Sequence, residues 1–201
     1  MLRADAKASW ATFADKNASV LNQRFVDFLY LVDEPYWNGV STADLAKAVE
    51  IVEATHPTLP KAIVEAFWVL DALVVPEQID IVGFDRYAIP DPETDLRYLA
   101  DFAKLKAARS RPDQKILLVA DSQWLPLYGS AGFPQEAMAA VGRSSLNLAV
   151  SDPDVVGIIG YTWPGGLGDP QQRGLRNLPD SVQNVYKEFG RAVVAATRSN
   201  P

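Results

Sequence analysis

The chain has 201 residues, 48% of them hydrophobic and 22% charged, with a formal net charge of −6. This balance predicts a folded globular protein, and the acidic charge argues against a nucleic-acid partner. The absence of cysteine excludes disulfides, thiolate metal sites and a cysteine nucleophile. No apolar run is long enough to cross a membrane, and polar residues within positions 1–25 rule out a signal-peptide core, so the localisation is left open.

Alternating strand and helix patterns run along the chain. Strands are short apolar runs bounded by turn residues, and helices place apolar residues three or four positions apart. The patterns predict five strands, over 27–32, 61–67, 79–84, 116–120 and 155–161. They predict helices over 6–25, from a capping box at 41–44, over 95–108, over 134–150 and after the loop 164–180, with a short helical turn over 70–74. In the helix over 95–108, the inward residues are expected to be Leu96, Leu99, Ala103 and Leu105. We therefore expect one α/β domain over residues 1–201, with about five parallel strands and flanking helices.

The residues that follow the strands are the candidate site, because the carboxyl ends of parallel strands meet at one edge, where α/β folds keep their chemistry. Four of the five tryptophans fall on this edge. This favours a flat, hydroxylated ligand such as a carbohydrate over aromatic rings that only plug a core. The candidate catalytic residues are Glu34, Asp33, Asp121 and Asp85, and the candidate substrate-binding residues are Tyr36, Trp37, Trp68, Tyr87, Gln123, Trp124, Tyr161 and Trp163.

Residues 28–37 are the most informative segment, because an apolar run ends there in two adjacent carboxylates, a proline and two aromatics. Cleavage of a glycoside needs a protonated acid for the leaving oxygen and an aromatic face to hold the sugar ring. Glu34 is the candidate general acid, since neighbouring carboxylates and apolar walls would raise its pKa. The second carboxylate is left open among Asp33, Asp85 and Asp121.

Several of these residues also have plain structural interpretations. Asp33 could cap the loop that follows the strand, and Asp85 could pair with a nearby arginine. Glu65 lies in the middle of a strand, which favours a structural role over a catalytic one. The single histidine, His56, falls in a turn on the opposite edge, so neither a Ser-His-Asp triad nor a histidine-rich metal site is expected. We expect no metal and no cofactor.

With these residues in view, the chain resembles the C-terminal part of a glycoside-hydrolase TIM barrel. Asp33-Glu34-Pro35 is similar to the Asn-Glu-Pro at the end of strand four, where the glutamate is the acid/base. Residues 83–87 (Gly-Phe-Asp-Arg-Tyr) are similar to the end of strand six, where a tyrosine lines the site. Residues 160–163 (Gly-Tyr-Thr-Trp) are similar to strand eight, whose tryptophan floors the sugar subsite. The resemblance implies a partial (β/α)8 barrel made of strands four to eight and covers nearly the whole chain.

Two positions depart from this pattern. Asp33 replaces the asparagine, and an Asp-Glu pair resembles the hexosaminidase-type barrels, in which the aspartate orients the substrate's acetamido group and no enzyme nucleophile is required. At the end of strand seven, where the retaining group carries a glutamate nucleophile, this chain has the shorter Asp121. The resemblance therefore implies a glycoside-hydrolase-like protein without settling its stereochemical course.

Five strands do not close an eight-stranded barrel, which takes ~250 residues. Three explanations are open: the first three βα units belong to a longer chain, the exposed sheet edges self-associate, or the protein is a shortened relative that no longer catalyses. The hypotheses for function are a possible glycosidase with Glu34 as acid and, alternatively, a non-catalytic carbohydrate-binding or structural barrel.

Overall fold

The computed structural model describes residues 2–199. The helices are α1 (Ala6–Lys16), α2 (Thr42–Glu53), α3 (Leu96–Ala108), α4 (Pro126–Ser130), α5 (Met138–Ser151) and α6 (Asp180–Ser199). The strands are β1 (Leu29–Asp33), β2 (Lys61–Ala66), β3 (Ile81–Asp85), β4 (Lys115–Asp121), β5 (Gln123–Trp124), β6 (Val155–Tyr161) and β7 (Arg173–Gly174). Among the described residues, no helix combines the length and the apolar character that a membrane span requires.

The main sheet has five strands in the order β1-β2-β3-β4-β6, and β5 and β7 form a separate antiparallel pair. The β1–β2 and β2–β3 pairs are parallel, with Asp33 opposite Val64 and Ala66 opposite Asp85. The predicted fold class is confirmed: the chain is α/β, with a five-stranded parallel sheet and flanking helices. Within the described residues β1 and β6 are the edge strands, so the self-association predicted for exposed edges stays a prediction.

The chain divides into two compact units. The first contains the residues up to Asp85 together with Asp101–Leu117, and the second contains Arg86–Ala100 together with the residues from Leu118 onward. The prediction of one barrel domain that lacks its first three βα units is not tested by this division and stays a prediction.

The first unit is built on β2, in which all six residues are buried. Ile63, Val82 and Phe84 of the central strands are fully inaccessible, and Leu45 and Val49 of α2 are buried as well. A side chain at position 83 has no room, because a Cβ there would lie 2.5 Å from the Leu117 carbonyl oxygen. Glycine at this position therefore permits the close packing of the central strands.

The second unit has its own apolar cluster, formed by α4, α5 and the start of α6. Its buried members are Tyr128, Met138, Val141, Leu178 and Val182. Apolar residues of α5 and α6 recur at helical spacing on the inward side, which explains why these helices pack here.

Several predicted element bounds are wrong. The helix predicted over 6–25 ends at Lys16, because the Asn17 side chain donates to the Phe13 carbonyl and residues 17–25 form successive turns. The helix predicted over 134–150 begins at Met138 after a 3₁₀ turn, and α4 was not predicted. The helical turn expected over 70–74 is instead a 3₁₀ helix at Phe67–Val69.

The inward face of α3 was also predicted wrongly. Leu96 is 82% exposed and Ala103 is exposed, whereas Tyr98 and Phe102 are buried beside Leu105. The aromatic side chains bury more apolar area than the leucine and alanine do, and this sets the rotation of the helix. The strand bounds are closer, since each strand of the main sheet lies within two residues of its prediction and β6 matches it.

Candidate active site

The first unit brings together the carboxylates that follow β1, β2 and β3. Because these strands are parallel neighbours, their carboxyl ends lie side by side, as the pairing of Asp33 with Val64 and of Ala66 with Asp85 records. Asp33, Glu34 and Asp85 were predicted to meet here, and the structure places them together. Below, these three residues and Glu65 are called the carboxylate cluster.

Glu34 has an unusual backbone for a residue with a side chain, with a φ of 47°. A left-handed conformation of this kind costs about 1 kcal/mol or more and persists only where the surroundings impose it. Here the Glu34 backbone N–H donates to the Val64 carbonyl at 2.7 Å, and its carbonyl accepts from the Asn38 backbone N–H at 2.9 Å. These bonds turn the chain sharply at the end of β1 and place the Glu34 side chain at the strand edge.

The electrostatics of Glu34 suit a proton donor. Burial raises the pKa of its carboxyl above the usual value, and the negative charge of Asp33 raises it further. A hydrogen bond with the Asp85 carboxyl acts in the opposite direction and lowers this pKa. Burial and the Asp33 charge therefore favour the protonated form of Glu34, whereas the hydrogen bond with Asp85 favours its ionised form.

Asp33 is held by a tyrosine from its own strand. The β1–β2 register shifts between Tyr30 and Val32, so that one extra residue lets the Tyr30 hydroxyl donate to Asp33 Oδ1. Burial, followed by the Asp33 charge, raises the pKa of Tyr30. The Asn38 amide donates to the Asp33 carbonyl oxygen at 3.3 Å. The sequence left open that the Asp33 carboxylate caps the following loop. In the structure, this carboxylate instead accepts the bond from the Tyr30 hydroxyl.

Glu65 is the member of the carboxylate cluster that the sequence did not predict as a site residue. It is fully buried in the middle of β2, and its two carboxylate oxygens lie 3.0 and 3.2 Å from the Tyr36 backbone nitrogen, which donates to them. Burial is the main cause that raises its pKa to about 7, and the Glu34 and Asp85 charges add to it, while the Tyr36 and Trp37 backbone bonds oppose it. A lone charge between apolar strand residues was the only sequence signal for this position.

Two exposed tryptophans follow the same strand ends. Trp37 is 55% exposed and Trp68 is 69% exposed, with the Trp68 ring packed against Phe67 at a centroid distance of 4.2 Å. Tyr36, predicted as a ligand-binding residue, uses its hydroxyl within the fold, where it donates to the Val74 carbonyl at 3.0 Å and contacts Thr42. Tyr36 therefore fastens a loop, and the two tryptophans offer the open aromatic faces of this unit.

In the second unit, Asp121 is an internal carboxylate that is only 5% exposed. Its Oδ2 accepts the Ala88 backbone N–H at 2.9 Å and the Tyr128 hydroxyl at 2.7 Å. Its Oδ1 has no hydrogen-bond partner within the described part of the chain. Burial raises the Asp121 pKa to about 6 despite these bonds and the nearby Gln123. The adjoining cavity, of about 160 Å³, is lined mainly by apolar side chains.

The other predicted residues of the second unit separate into internal and exposed groups. Gln123 is buried and accepts a hydrogen bond from Gln172, and the Trp124 indole donates to the Phe133 carbonyl at 2.8 Å within the apolar cluster. Tyr87 and Tyr161 contact each other, with ring centroids 5.4 Å apart, and Trp163 is 57% exposed. These last three residues keep accessible aromatic surface, whereas Gln123 and Trp124 are used in internal contacts.

The described residues hold no group of three or more histidine or acidic side chains arranged to bind a metal ion. The contacts recorded within the carboxylate cluster are the hydrogen bond between Glu34 and Asp85, the Tyr30 hydroxyl on Asp33 and the Tyr36 backbone N–H on Glu65.

Comparisons with known proteins support the fold. No protein-family model matches the chain, and no curated protein does. Among solved structures, the chain is similar to an active-site mutant of the Rhizomucor miehei beta-1,3-glucanosyltransferase in complex with laminaritriose, with a TM-score of 0.59 and 13% identity over 90% of this chain and 73% of that chain. The chain thus shares a partial TIM-barrel-like fold with this protein, and that is the fold the sequence resemblance implied. At this identity the likeness concerns the fold alone.

Proposed function

We propose that this protein binds a carbohydrate and cleaves its glycosidic bond, with Glu34 as the general acid. The observation that carries the proposal is the position of Glu34 in the carboxylate cluster, at the carboxyl end of a parallel strand and beside exposed tryptophans. Burial and the Asp33 charge raise its pKa, which is the direction that favours a proton donor.

The second carboxylate follows from the contacts of the cluster. Asp85 acts on Glu34 as a hydrogen-bond partner, whereas the acid and the nucleophile of glycosidases stand ~5 Å or more apart. This contact favours a role for Asp85 in orienting the acid. Asp121 is buried and already accepts two hydrogen bonds, which argues against attack on a sugar. Asp33 remains as the second carboxylate. A glucose oligosaccharide has no acetamido group for a substrate-assisted course, so Asp33 would act on it as the base that activates water.

The class of ligand is suggested by the aromatic faces and by the similar structure. Trp37 and Trp68 offer flat apolar surface next to acceptor oxygens, which suits the two sides of a sugar ring. The similar glucanosyltransferase holds laminaritriose. A β-1,3-linked glucose oligosaccharide is therefore the first ligand to test on this chain.

A second candidate is a carbohydrate-binding barrel without catalysis. The observation in its favour is the burial of Asp121, at the strand end where retaining glycosidases carry an accessible nucleophile. In this alternative, the tryptophan rings bind the carbohydrate and no glycosidic bond is cleaved.

Calorimetric titration with laminaritriose tests carbohydrate binding, which both candidate functions require. We expect Trp37→Ala and Trp68→Ala each to weaken binding by about 5- to 10-fold through loss of aromatic contact, and Phe25→Ala, an equally exposed aromatic of the same unit, to leave it unchanged. Equal affinity in all four proteins contradicts a carbohydrate site at these strand ends. Turnover of the bound oligosaccharide, followed by mass spectrometry, then separates the enzyme from the binding protein.

A further inference from the structure

The turn that carries Glu34 is anchored from the neighbouring strand. Residues 34–40 form a helical turn in which the Asn38 N–H donates to the Glu34 carbonyl at 2.9 Å and the Val40 N–H donates to the Pro35 carbonyl at 2.8 Å. Pro35 has no N–H, so the first backbone donors of this turn that need a partner are those of Tyr36 and Trp37.

Glu65 of β2 provides that partner. Both of its oxygens lie within 3.2 Å of the Tyr36 nitrogen, and the Trp37 backbone N–H also acts on this carboxylate. Backbone N–H groups that donate to a carboxylate stabilise its charge, and this helps to explain how Glu65 is kept in a strand where every residue is buried. One side chain thus accepts from two successive backbone N–H groups, those of Tyr36 and Trp37.

We propose that Glu65 is a positioning residue of the candidate site: by binding the Tyr36 N–H it fixes the turn, and so holds the Glu34 carboxyl and the Trp37 ring in place. This inference rests on the proposed function, because the group that is positioned is the proposed acid. It assigns Glu65 more than the structural role that its mid-strand position first indicated.

Two carboxylates face Glu65: Glu34, from the turn after β1, and Asp85, from the end of β3. Both of their charges raise the pKa of Glu65, as its burial does, whereas the backbone N–H groups of Tyr36 and Trp37 lower it. Glu65 therefore acts on Glu34 through the geometry of the turn, which the Tyr36 N–H bond to Glu65 holds.

The test is Glu65→Gln, which keeps the size of the side chain, removes its charge and puts an amide group in place of one oxygen. We expect kcat for laminaritriose to fall by about 10²-fold with little change in KM, because a small misplacement of a reacting group has an effect of this size. In carbon-13 spectra, we expect the Glu34 carboxyl signal and the Trp37 indole signal to shift, because both groups follow the turn that Glu65 holds. Glu50→Gln, an exposed glutamate on α2, is the matched control and should behave like the wild type.

The possible outcomes distinguish a failure of the positioning role from a failure of the proposed function. If the wild type turns over the sugar, Glu34→Gln abolishes turnover and a folded Glu65→Gln keeps full kcat with unchanged Glu34 and Trp37 signals, the positioning role is overturned and the proposed function stands. If the wild type turns over no glycan, both fail. Should Glu65→Gln not fold, the wild type decides: the Tyr36 amide signal must titrate together with the Glu65 carboxyl, and independence of the two overturns the inference.

Discussion

The Tyr128 hydroxyl donates a 2.7 Å hydrogen bond to Oδ2 of Asp121, the same oxygen that accepts the Ala88 backbone N–H. One buried carboxylate thus connects the end of β4, helix α4 and the loop that follows β3. Ala88 has a φ of 61°, and its bond to Asp121 stabilises that left-handed backbone. Asp121 is therefore central to the structure of the second unit.

Removal of the hydroxyl tests this relationship. We expect Tyr128→Phe to lower the free energy of unfolding by about 1–3 kcal/mol, because a buried acceptor loses a partner while remaining shielded from water. Urea denaturation measures the loss. Tyr161→Phe, which removes a hydroxyl from a more exposed tyrosine of the same unit, should change the free energy by no more than about 0.5 kcal/mol. Equal effects in the two variants would mean that the Asp121 bond contributes little.

The two buried acids predict an unusual dependence of stability on pH. The pKa of Glu65 is raised to about 7 and that of Asp121 to about 6, so folding disfavours the charged form of each. For a raised carboxyl, stability is greatest below the unfolded pKa and is lost as the pH rises through the folded pKa. We therefore expect the free energy of unfolding to be lower at about pH 7.5 than at about pH 5, by at least about 1 kcal/mol.

Two variants show which of the two carboxyl groups causes the decrease in stability with pH. Glu65→Gln should flatten the decrease mainly between about pH 5 and pH 7, and Asp121→Asn mainly between about pH 4 and pH 6. Asp95 does not affect stability in this pH range, because its hydrogen bond with Arg97 lowers its pKa to about 2. The contribution of Asp95 to the free energy of unfolding is therefore lost only at lower pH. Stability that rises between about pH 5 and pH 7.5 would contradict the account of both buried carboxylates.

The central strands leave no room for a side chain at position 83. A Cβ there would meet the Leu117 carbonyl oxygen at 2.5 Å and a Val64 methyl group at 3.1 Å. We expect Gly83→Ala to lower the free energy of unfolding by about 1–3 kcal/mol, since the backbone must shift to accept it. Gly190→Ala in α6, where no atom lies within 4 Å, should instead raise it by about 0.5–1 kcal/mol. Thermal unfolding of both variants checks the opposite signs.

The sheet was predictable because the apolar runs are distinct, and the parallel order then placed Asp33, Glu34 and Asp85 together without any tertiary information. Helix bounds were harder to predict, since the competition of the Asn17 side chain for the Phe13 carbonyl leaves no periodic signal. The internal use of Trp124 and Tyr36 could not be predicted either, because both depend on partners far along the chain, at Phe133 and Val74.

The place of Glu65 in the candidate site could not be predicted from the sequence either. Its contact with the Tyr36 N–H depends on the register of β1 against β2, which a single sequence does not specify. The burial of Asp121 likewise depends on α4, a helix of five residues that is too short to give a periodic pattern. Side chains that follow strand ends could thus be gathered into one region, but their separate roles required the packed structure.

The rate of laminaritriose cleavage by the wild type and by Glu34→Gln, with Glu50→Gln as the control, decides whether Glu34 is the catalytic acid. We expect the wild type and Glu50→Gln to cleave the sugar at the same rate, and Glu34→Gln to be slower by about 10²- to 10⁴-fold, the usual contribution of a general acid. Binding should persist in Glu34→Gln, because its amide keeps the shape of the side chain. Cleavage at the same rate in all three proteins, or binding without cleavage by the wild type, would contradict the assignment of Glu34 as the catalytic acid.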